Sequence, residues 1–284
     1  MESQKGIIQL CYDDTFFNVQ DTLTCGQIFR FIPYKKGYKV YSQDRCAYLY
    51  NDQNKTFLTV LEQDKEYFEN FFDLSTDYLQ IVNRAVNTNV QILQISATLG
   101  KGIRILNQDK VETLFSFIVS QNNNIPRIKS IIEKLCRGLG VVKTFLGEEY
   151  YAFPTPQQMA NAPLSFYKEI GLGYRAEYIL DLATAIVNGL DVNSFALLET
   201  PQLKSKLLQI RGVGPKVADC VLLFGYHKTN SFPVDTWIHK VYEQDFNGKL
   251  KDRNKIADWF VEKFNEDSGF YQQYLFYYKR TLSK

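Results

Sequence analysis

Two short stretches bring together residue types that could do chemistry. The first is Leu207-Leu-Gln-Ile-Arg-Gly-Val-Gly-Pro-Lys-Val-Ala-Asp-Cys-Val-Leu-Leu-Phe224. An apolar helix is expected to run into Gly212, Val213 and Gly214, and a second apolar helix to start at Pro215. The two glycines permit a tight turn with exposed backbone N–H groups, and proline suits a first helical turn. Outward-facing amides at a helix N-terminus favour an anion, so this geometry is a phosphate cradle. An ordinary αα-hairpin accounts for GxG alone. The Leu/Ile before the turn and the Lys-Val-Ala-Asp after it make the segment more specific. Lys216 read in isolation is a phosphate-contacting surface lysine. The second stretch is Phe232-Pro-Val-Asp-Thr-Trp237, where Asp235 suits an N-cap.

Metal chemistry has little to work with. The five cysteines (Cys11, Cys25, Cys46, Cys136, Cys220) are odd in number, widely spaced and form no CxxC pair. That argues against a disulfide framework and against a cysteine-held zinc or iron–sulfur site. Two histidines, His227 and His239, cannot make a multi-histidine site.

These stretches need elements to position them. A chain of 284 residues suggests about two domains. Residues 1–90 read as an N-terminal antiparallel β domain. Phe29–Tyr34, a turn at Lys35-Lys-Gly and Tyr38–Tyr41 form one hairpin; Ala47–Tyr50, a turn at Asn51-Asp-Gln-Asn and Thr56–Val60 repeat the pattern. From about residue 65 the apolar period becomes helical, and residues 91–284 read as a helical domain. Val111, Leu114, Phe115, Ile118 and Val119 lie at helical spacing, as do Ile128, Ile131, Ile132, Leu135 and Cys136, with Gly138 and Gly140 as stop signals. The fold class is therefore α+β.

Hydrophobic residues at 45% and charged residues at 23% rule out disorder and fibrous repeats. Lys+Arg 33 against Asp+Glu 31 leaves a net charge of +2, so any basic surface must come from local clustering. The N-terminus lacks a signal-peptide pattern, and no apolar run approaches the roughly 18 residues of a membrane span. The expectation is a soluble intracellular protein from a reducing compartment, without a membrane partner.

The hairpin at 207–224 resembles the helix–hairpin–helix of the HhH-GPD DNA glycosylase superfamily, and the resemblance sharpens at Phe232-Pro-Val-Asp-Thr-Trp. Phe115-Ser-Phe-Ile-Val-Ser-Gln-Asn-Asn-Asn-Ile-Pro-Arg127, Gly171-Leu-Gly-Tyr-Arg-Ala-Glu-Tyr178 and Cys25-Gly-Gln-Ile-Phe-Arg30 resemble the 8-oxoguanine DNA glycosylase/lyase branch. The matches run from about residue 20 to residue 280 in the family's order. The resemblance implies a TBP-like sheet followed by a helical glycosylase domain. It also implies excision of 8-oxoguanine from damaged duplex DNA, preferentially opposite cytosine, with AP-lyase activity in base excision repair, by a monomer that is cytoplasmic and nucleoid-associated, or nuclear if eukaryotic.

By the same resemblance, Lys216 is the nucleophile that attacks C1′ and forms a Schiff base, and Asp235 stabilises the charge developing on the sugar. Gly26 supplies a carbonyl to N7 of the lesion. The oxidised base carries a hydrogen there where guanine has an acceptor, so one carbonyl separates the two. Cys220 and Phe276 form flat walls, Gln272 reads the pairing edge, and the carbonyl of Pro233 adds a polar contact. Arg127 and Arg175 read the orphaned cytosine, Asn122 fills the emptied stack and Tyr174 wedges beside it. Each wall or arginine read alone is equally a core residue or a phosphate contact. No cofactor is implied; a structural cation is expected at most at the carbonyls of Leu208, Ile210 and Val213. Two positions depart from eukaryotic members: Trp237 stands for a histidine and Lys279 for an aspartate. The iron–sulfur cysteines of related branches are absent. Two other readings stand beside this one. A relative that excises alkylated bases commonly lacks the hairpin lysine, and a non-catalytic module would use the hairpin only as a phosphate clamp.

Overall fold

Aromatic and β-branched residues in the first third pair as an antiparallel sheet. In the computed structural model, which describes residues 6–13 and 15–282, the sheet contains β1 (Ile7–Asp13), β2 (Phe31–Tyr34), β3 (Gly37–Ser42), β4 (Arg45–Asp52) and β5 (Lys55–Leu61) in the order β1-β5-β4-β3-β2. Helix α1 (Val19–Thr24) lies between β1 and β2. The expected first hairpin is β2–β3, with Phe31 opposite Val40. The second is β4–β5, where Gln53 and Asn54 take φ of 49° and 59°, as a two-residue primed turn requires. The expected strands did not include β1, which pairs with β5 from Ile7↔Leu61 to Asp13↔Lys55.

Period-two alternation gives the sheet two different faces. Val40, Ala47, Leu49, Leu58 and Val60 pack on Phe17, Phe68, Phe71 and Phe72. Tyr34, Tyr41, Tyr48, Tyr50 and Phe57 line the other side.

Helices follow: α2 (Lys65–Phe71), α3 (Tyr78–Val86), α4 (Gln91–Gly100), α5 (Lys110–Ser120) and α6 (Ile125–Leu139). The hairpin β6 (Val142–Phe145) and β7 (Glu148–Tyr151) interrupts them and covers the aromatic face of the sheet with Phe145 and Tyr150. Then come α7 (Pro156–Ala160), α8 (Leu164–Glu169), α9 (Arg175–Val187), α10 (Thr200–Leu208), α11 (Pro215–Gly225), α12 (Thr236–Asp245), α13 (Arg253–Phe264) and α14 (Ser268–Leu282). Gly138 is not a stop: α6 continues through it, and Gly140 is the C-cap. A Cβ on Gly138 would lie 2.5 Å from the Phe166 ring, so this glycine serves close packing. Among the described residues no helix is long and apolar enough to cross a membrane.

The sheet is tied to α5 through charge. Arg30 donates to Glu112 at 3.2 Å and to the Tyr151 carbonyl at 2.7 Å, and Glu112 also accepts the Gln43 amide at 2.6 Å. The side chains of Arg30 and Glu112 are 6% and 11% exposed, so removing one leaves the other charged in a poorly solvated site. Glu112→Ala is therefore expected to cost about 3–5 kcal/mol. Urea denaturation at constant m-value measures this; a loss below about 1 kcal/mol would reduce the pair to the level of a surface bridge.

Candidate active site

Helix ends converge on one cavity. Gly214 is the N-cap of α11 and Pro215 its first residue, as the sequence predicts. Gly212 sits in the left-handed region at φ 87°, and a Cβ there would lie 2.6 Å from the Tyr178 ring. The hairpin turn therefore accepts only glycine at 212 on both counts. One turn further, Lys216 and Cys220 stand four residues apart on one face of α11. Both line a cavity of about 60 Å³.

Asp235 enters the same cavity from the start of α12. Its carboxylate accepts the Ile238 amide at 2.9 Å, which makes it the expected N-cap and fixes its direction. Burial pushes its pKa above the ordinary aspartate range, against the opposing pull of the Ile238 amide and the Lys216 ammonium. Cys220 is buried, and desolvation pushes its thiol up to about 11 despite attraction from Lys216. At neutral pH it is a neutral, polarisable wall. On the far side of Lys216, burial pushes Asp219 up to about 6, even though Lys204 lies 2.7 Å from its carboxylate. Desolvation outweighs the pair there because Asp219 is almost fully buried and Lys204 only partly.

The remaining walls come from distant segments. Gly26, Pro233, Gln272 and Phe276, which the resemblance names as contacts to the lesion, line the cavity. The Gln272 amide donates to the Pro233 carbonyl at 3.1 Å, while its buried Oε1 accepts no bond. Phe117 completes the floor, with the Lys216 amine 5.4 Å from its ring centre. Sequence reasoning treated Phe117 only as part of a motif. Its neighbours on α5 are buried all round, so periodicity does not single it out.

A groove of about 550 Å³ shares Gly26, Phe117, Lys216, Asp235 and Phe276 with the cavity and extends to Asn122, Gly214, Trp237 and Arg253. Asn122 is exposed with φ 44°, and its amide donates to the hydroxyl of the exposed Tyr174 at 3.3 Å. Arg127 and Arg175 stand differently. Arg127 is exposed and donates to the Gly171 carbonyl at 3.1 Å. Arg175 is buried, and its guanidinium donates to the carbonyls of Gln121, Asn122 and Leu172. Gln121 in turn donates to the Gly212 carbonyl at 2.7 Å, which joins this loop to the hairpin turn. Of the two departures, Trp237 faces the groove and Lys279 pairs with Asp245 at 3.1 Å. Ile210 accepts the Val213 amide at 3.0 Å, so its carbonyl retains a second lone pair.

The site offers an amine and a direction-fixed carboxylate inside a mostly apolar cavity, beside a loop and a hairpin suited to a polyanion. Known proteins resemble this chain over most of its length. Residues 115–266 match the HhH-GPD superfamily base excision DNA repair protein model, and residues 9–114 match that of the 8-oxoguanine DNA glycosylase N-terminal domain. An 8-oxoguanine glycosylase/lyase from Clostridium acetobutylicum, solved with duplex DNA containing cytosine opposite 8-oxoG, superposes with a TM-score of 0.90 at 35% identity, covering 95% of this chain and 94% of that one. A probable N-glycosylase/DNA lyase of Methanothermobacter thermautotrophicus is 29% identical over 236 residues, 76% of this chain and 75% of its own. The N-glycosylase/DNA lyase of Saccharomyces cerevisiae is 38% identical over 160 residues, 51% of this chain and 42% of its own length.

The raised pKa of Asp235 has a testable sign. A carboxyl whose folded pKa exceeds its unfolded value binds its proton more tightly when folded, so ionisation costs stability as pH rises through that window. Asp235→Asn keeps a competent N-cap and removes the buried charge. It is expected to melt at or above the wild-type temperature at pH 7, with the advantage disappearing below about pH 4. A variant that melts several degrees lower at pH 7 would show that the Lys216 pairing outweighs desolvation.

Proposed function

The chain belongs to the HhH-GPD superfamily of base excision DNA repair proteins, and we propose that it is a DNA N-glycosylase/AP lyase that removes 8-oxoguanine, preferentially opposite cytosine. The observation that carries this reading is the convergence of Lys216 and Asp235 on one cavity whose remaining walls are Gly26, Cys220, Gln272 and Phe276.

Chemistry on a base requires the nucleotide to leave the stack. The everted base stacks between the Cys220 thiol and the Phe276 ring. The unpaired Oε1 of Gln272 accepts from the N–H groups of the pairing edge, and the carbonyl of Gly26 accepts the N7 hydrogen that guanine lacks. The amine of Lys216, as the free base, attacks C1′ while the bond from C1′ to the base breaks; the departing base takes the electron pair, and the proton lost by the newly bonded nitrogen neutralises it. The Asp235 carboxylate faces the positive charge that grows on the sugar in between. The aminal then opens to an imine, loss of a C2′ proton expels the 3′ phosphate, and water returns the lysine. Asn122 fills the space left in the stack. A Cβ on Gly214 would meet nothing within 4 Å, which leaves a phosphate room to approach the start of α11. The carbonyls of Leu208, Ile210 and Val213 suit a hard cation, which would add positive charge beside that phosphate.

A non-catalytic DNA clamp would need the hairpin but not the cavity. Borohydride trapping on an 8-oxoguanine:cytosine duplex separates the two. The wild type is expected to form a covalent adduct; Lys216→Gln is expected to form none while its DNA affinity stays within a few-fold, because binding is spread over many phosphates. Lost affinity with retained excision would make Lys216 a phosphate ligand instead.

Arg127 supplies the second expectation. A good bidentate contact contributes about 1–3 kcal/mol of discrimination against the wrong base. Arg127→Ala should therefore lower the excision ratio of cytosine- to adenine-opposed lesion by roughly tenfold. An unchanged ratio would remove Arg127 from this role.

A further inference from the structure

Helix α14 presents two adjacent faces to the site. One carries Gln272 and Phe276, which line the cavity. The other carries Gln273, Tyr277 and Arg280, spaced four and three residues apart and so stacked on one stripe. Tyr277 reaches the first turn of α1, Arg280 its last residue and Gln273 the turn that follows it. The buried Gln273 amide donates to the Cys25 carbonyl at 3.0 Å, the Tyr277 hydroxyl donates to Asp21 at 2.7 Å, and Arg280 donates to the Thr24 carbonyl at 3.0 Å. On the other side of the turn Gln108 donates to the Gln27 carbonyl at 2.8 Å. The carbonyls of Thr24, Cys25 and Gln27 are thus each held by a side chain. The carbonyl of Gly26 between them accepts no bond among the described residues. Gly26 itself has φ 93°, and the Phe276 ring lies 3.5 Å from the position a Cβ would occupy.

We propose that Gln273, Tyr277 and Arg280 form a clamp that fixes the direction of the Gly26 carbonyl and thereby sets how sharply this chain separates 8-oxoguanine from guanine. The inference rests on the function proposed above and assigns its selectivity to residues whose donors are spent on the protein itself, although Gln273 also borders the cavity and Arg280 the groove. A glycine peptide in the left-handed region rotates at little steric cost. A carbonyl free to turn away from guanine N7 would lose the repulsion that rejects the normal base. Gln273 ties the peptide before Gly26, Arg280 ties the one before that, Tyr277 anchors the helix they belong to, and Gln108 ties the peptide after it; together these remove that freedom. These three are positioning residues; none is asked to touch the base.

The test uses the full chain with Gln273→Met, Tyr277→Phe and Arg280→Leu, singly and combined. Each keeps most of the side-chain volume and deletes the donor. In a Lys216→Gln background, the combined variant is expected to lower the affinity ratio for 8-oxoguanine:cytosine over guanine:cytosine duplex about tenfold, chiefly by tighter binding of the guanine duplex. With Lys216 intact, cleavage of a duplex with a preformed abasic site should stay within twofold, since no base has to be read there. A merely structural role moves the melting temperature and all three substrates together, and that pattern would overturn the clamp. So would an unchanged ratio, or a uniform loss of affinity for every duplex, which would make Arg280 a phosphate ligand. The half-buried single variants Tyr277→Phe and Arg280→Leu keep the test informative should the buried Gln273→Met fold poorly. A wild-type chain with no preference for the oxidised base would sink the proposed function itself, whereas a preference that survives in the variants sinks only the clamp.

Discussion

A carboxylate kept from bulk water by the end of a helix is the arrangement on which the rest of this site depends. Asp235 makes the Ile238 cap at 2.9 Å, so its direction is set by the start of α12 and not by its own rotamer freedom. Burial raises the free energy of its ionised form, and the Lys216 ammonium offsets part of that. The charge is therefore held in a state that any positive charge developing nearby will relieve. That is electrostatic preorganisation in its elementary form, in which the reorganisation has been done by folding. It also explains why a neutral Cys220 suits the neighbouring position. A thiolate there would be a second uncompensated anion, and desolvation prevents it.

The same logic extends to the polar edge of the cavity. An unpaired buried acceptor such as Gln272 Oε1 costs about 1–3 kcal/mol. A ligand that donates to it recovers that energy, and a ligand with an acceptor at the same point adds to it. Because Gln272 commits its amide to Pro233, the acceptor cannot be exchanged for a donor by a flip without losing that bond. In the proposed mechanism selectivity comes from the orientation of two acceptors, one on α14 and one on the turn after α1. Both orientations are fixed by hydrogen bonds to the groups next to them.

What the sequence reveals follows from how local each feature is. The hairpin turn at 212–214, the first turn of α11 and the cap at Asp235 are determined within a few residues, and they form as the local chemistry dictates. The two expected β-hairpins are local too. Hairpin β6–β7 escaped because its turn places Leu146 at φ 53° before Gly147 at φ 77°, and leucine carries no turn signal. Strand β1 escaped because its partner β5 is some fifty residues away. Gly138 misled because a glycine that serves helix packing looks like one that ends a helix. The stripe of Gln273, Tyr277 and Arg280 has no signature at all, since each contact spans about 250 residues.

Arg175 shows what a motif residue can conceal. As a cytosine reader it must present donors, yet its guanidinium is buried with its bonds on the carbonyls of Leu172, Gln121 and Asn122. Two of those carbonyls belong to the loop that carries Asn122, the residue that fills the stack in the proposed mechanism. If Arg175 turns to an orphaned base, it releases the loop at the same moment that Asn122 has to move. Exchanging carbonyl oxygens of the protein for O2 and N3 of cytosine replaces one set of acceptors by another, so the net energy of the exchange is small. A mismatched base that offers a donor at the same place leaves Arg175 unmet in addition, at about 1–3 kcal/mol. Reading the opposite base and wedging the duplex are then a single hydrogen-bond exchange. Gln121, in the same loop, is hydrogen-bonded to the Gly212 carbonyl of the hairpin turn at 2.7 Å.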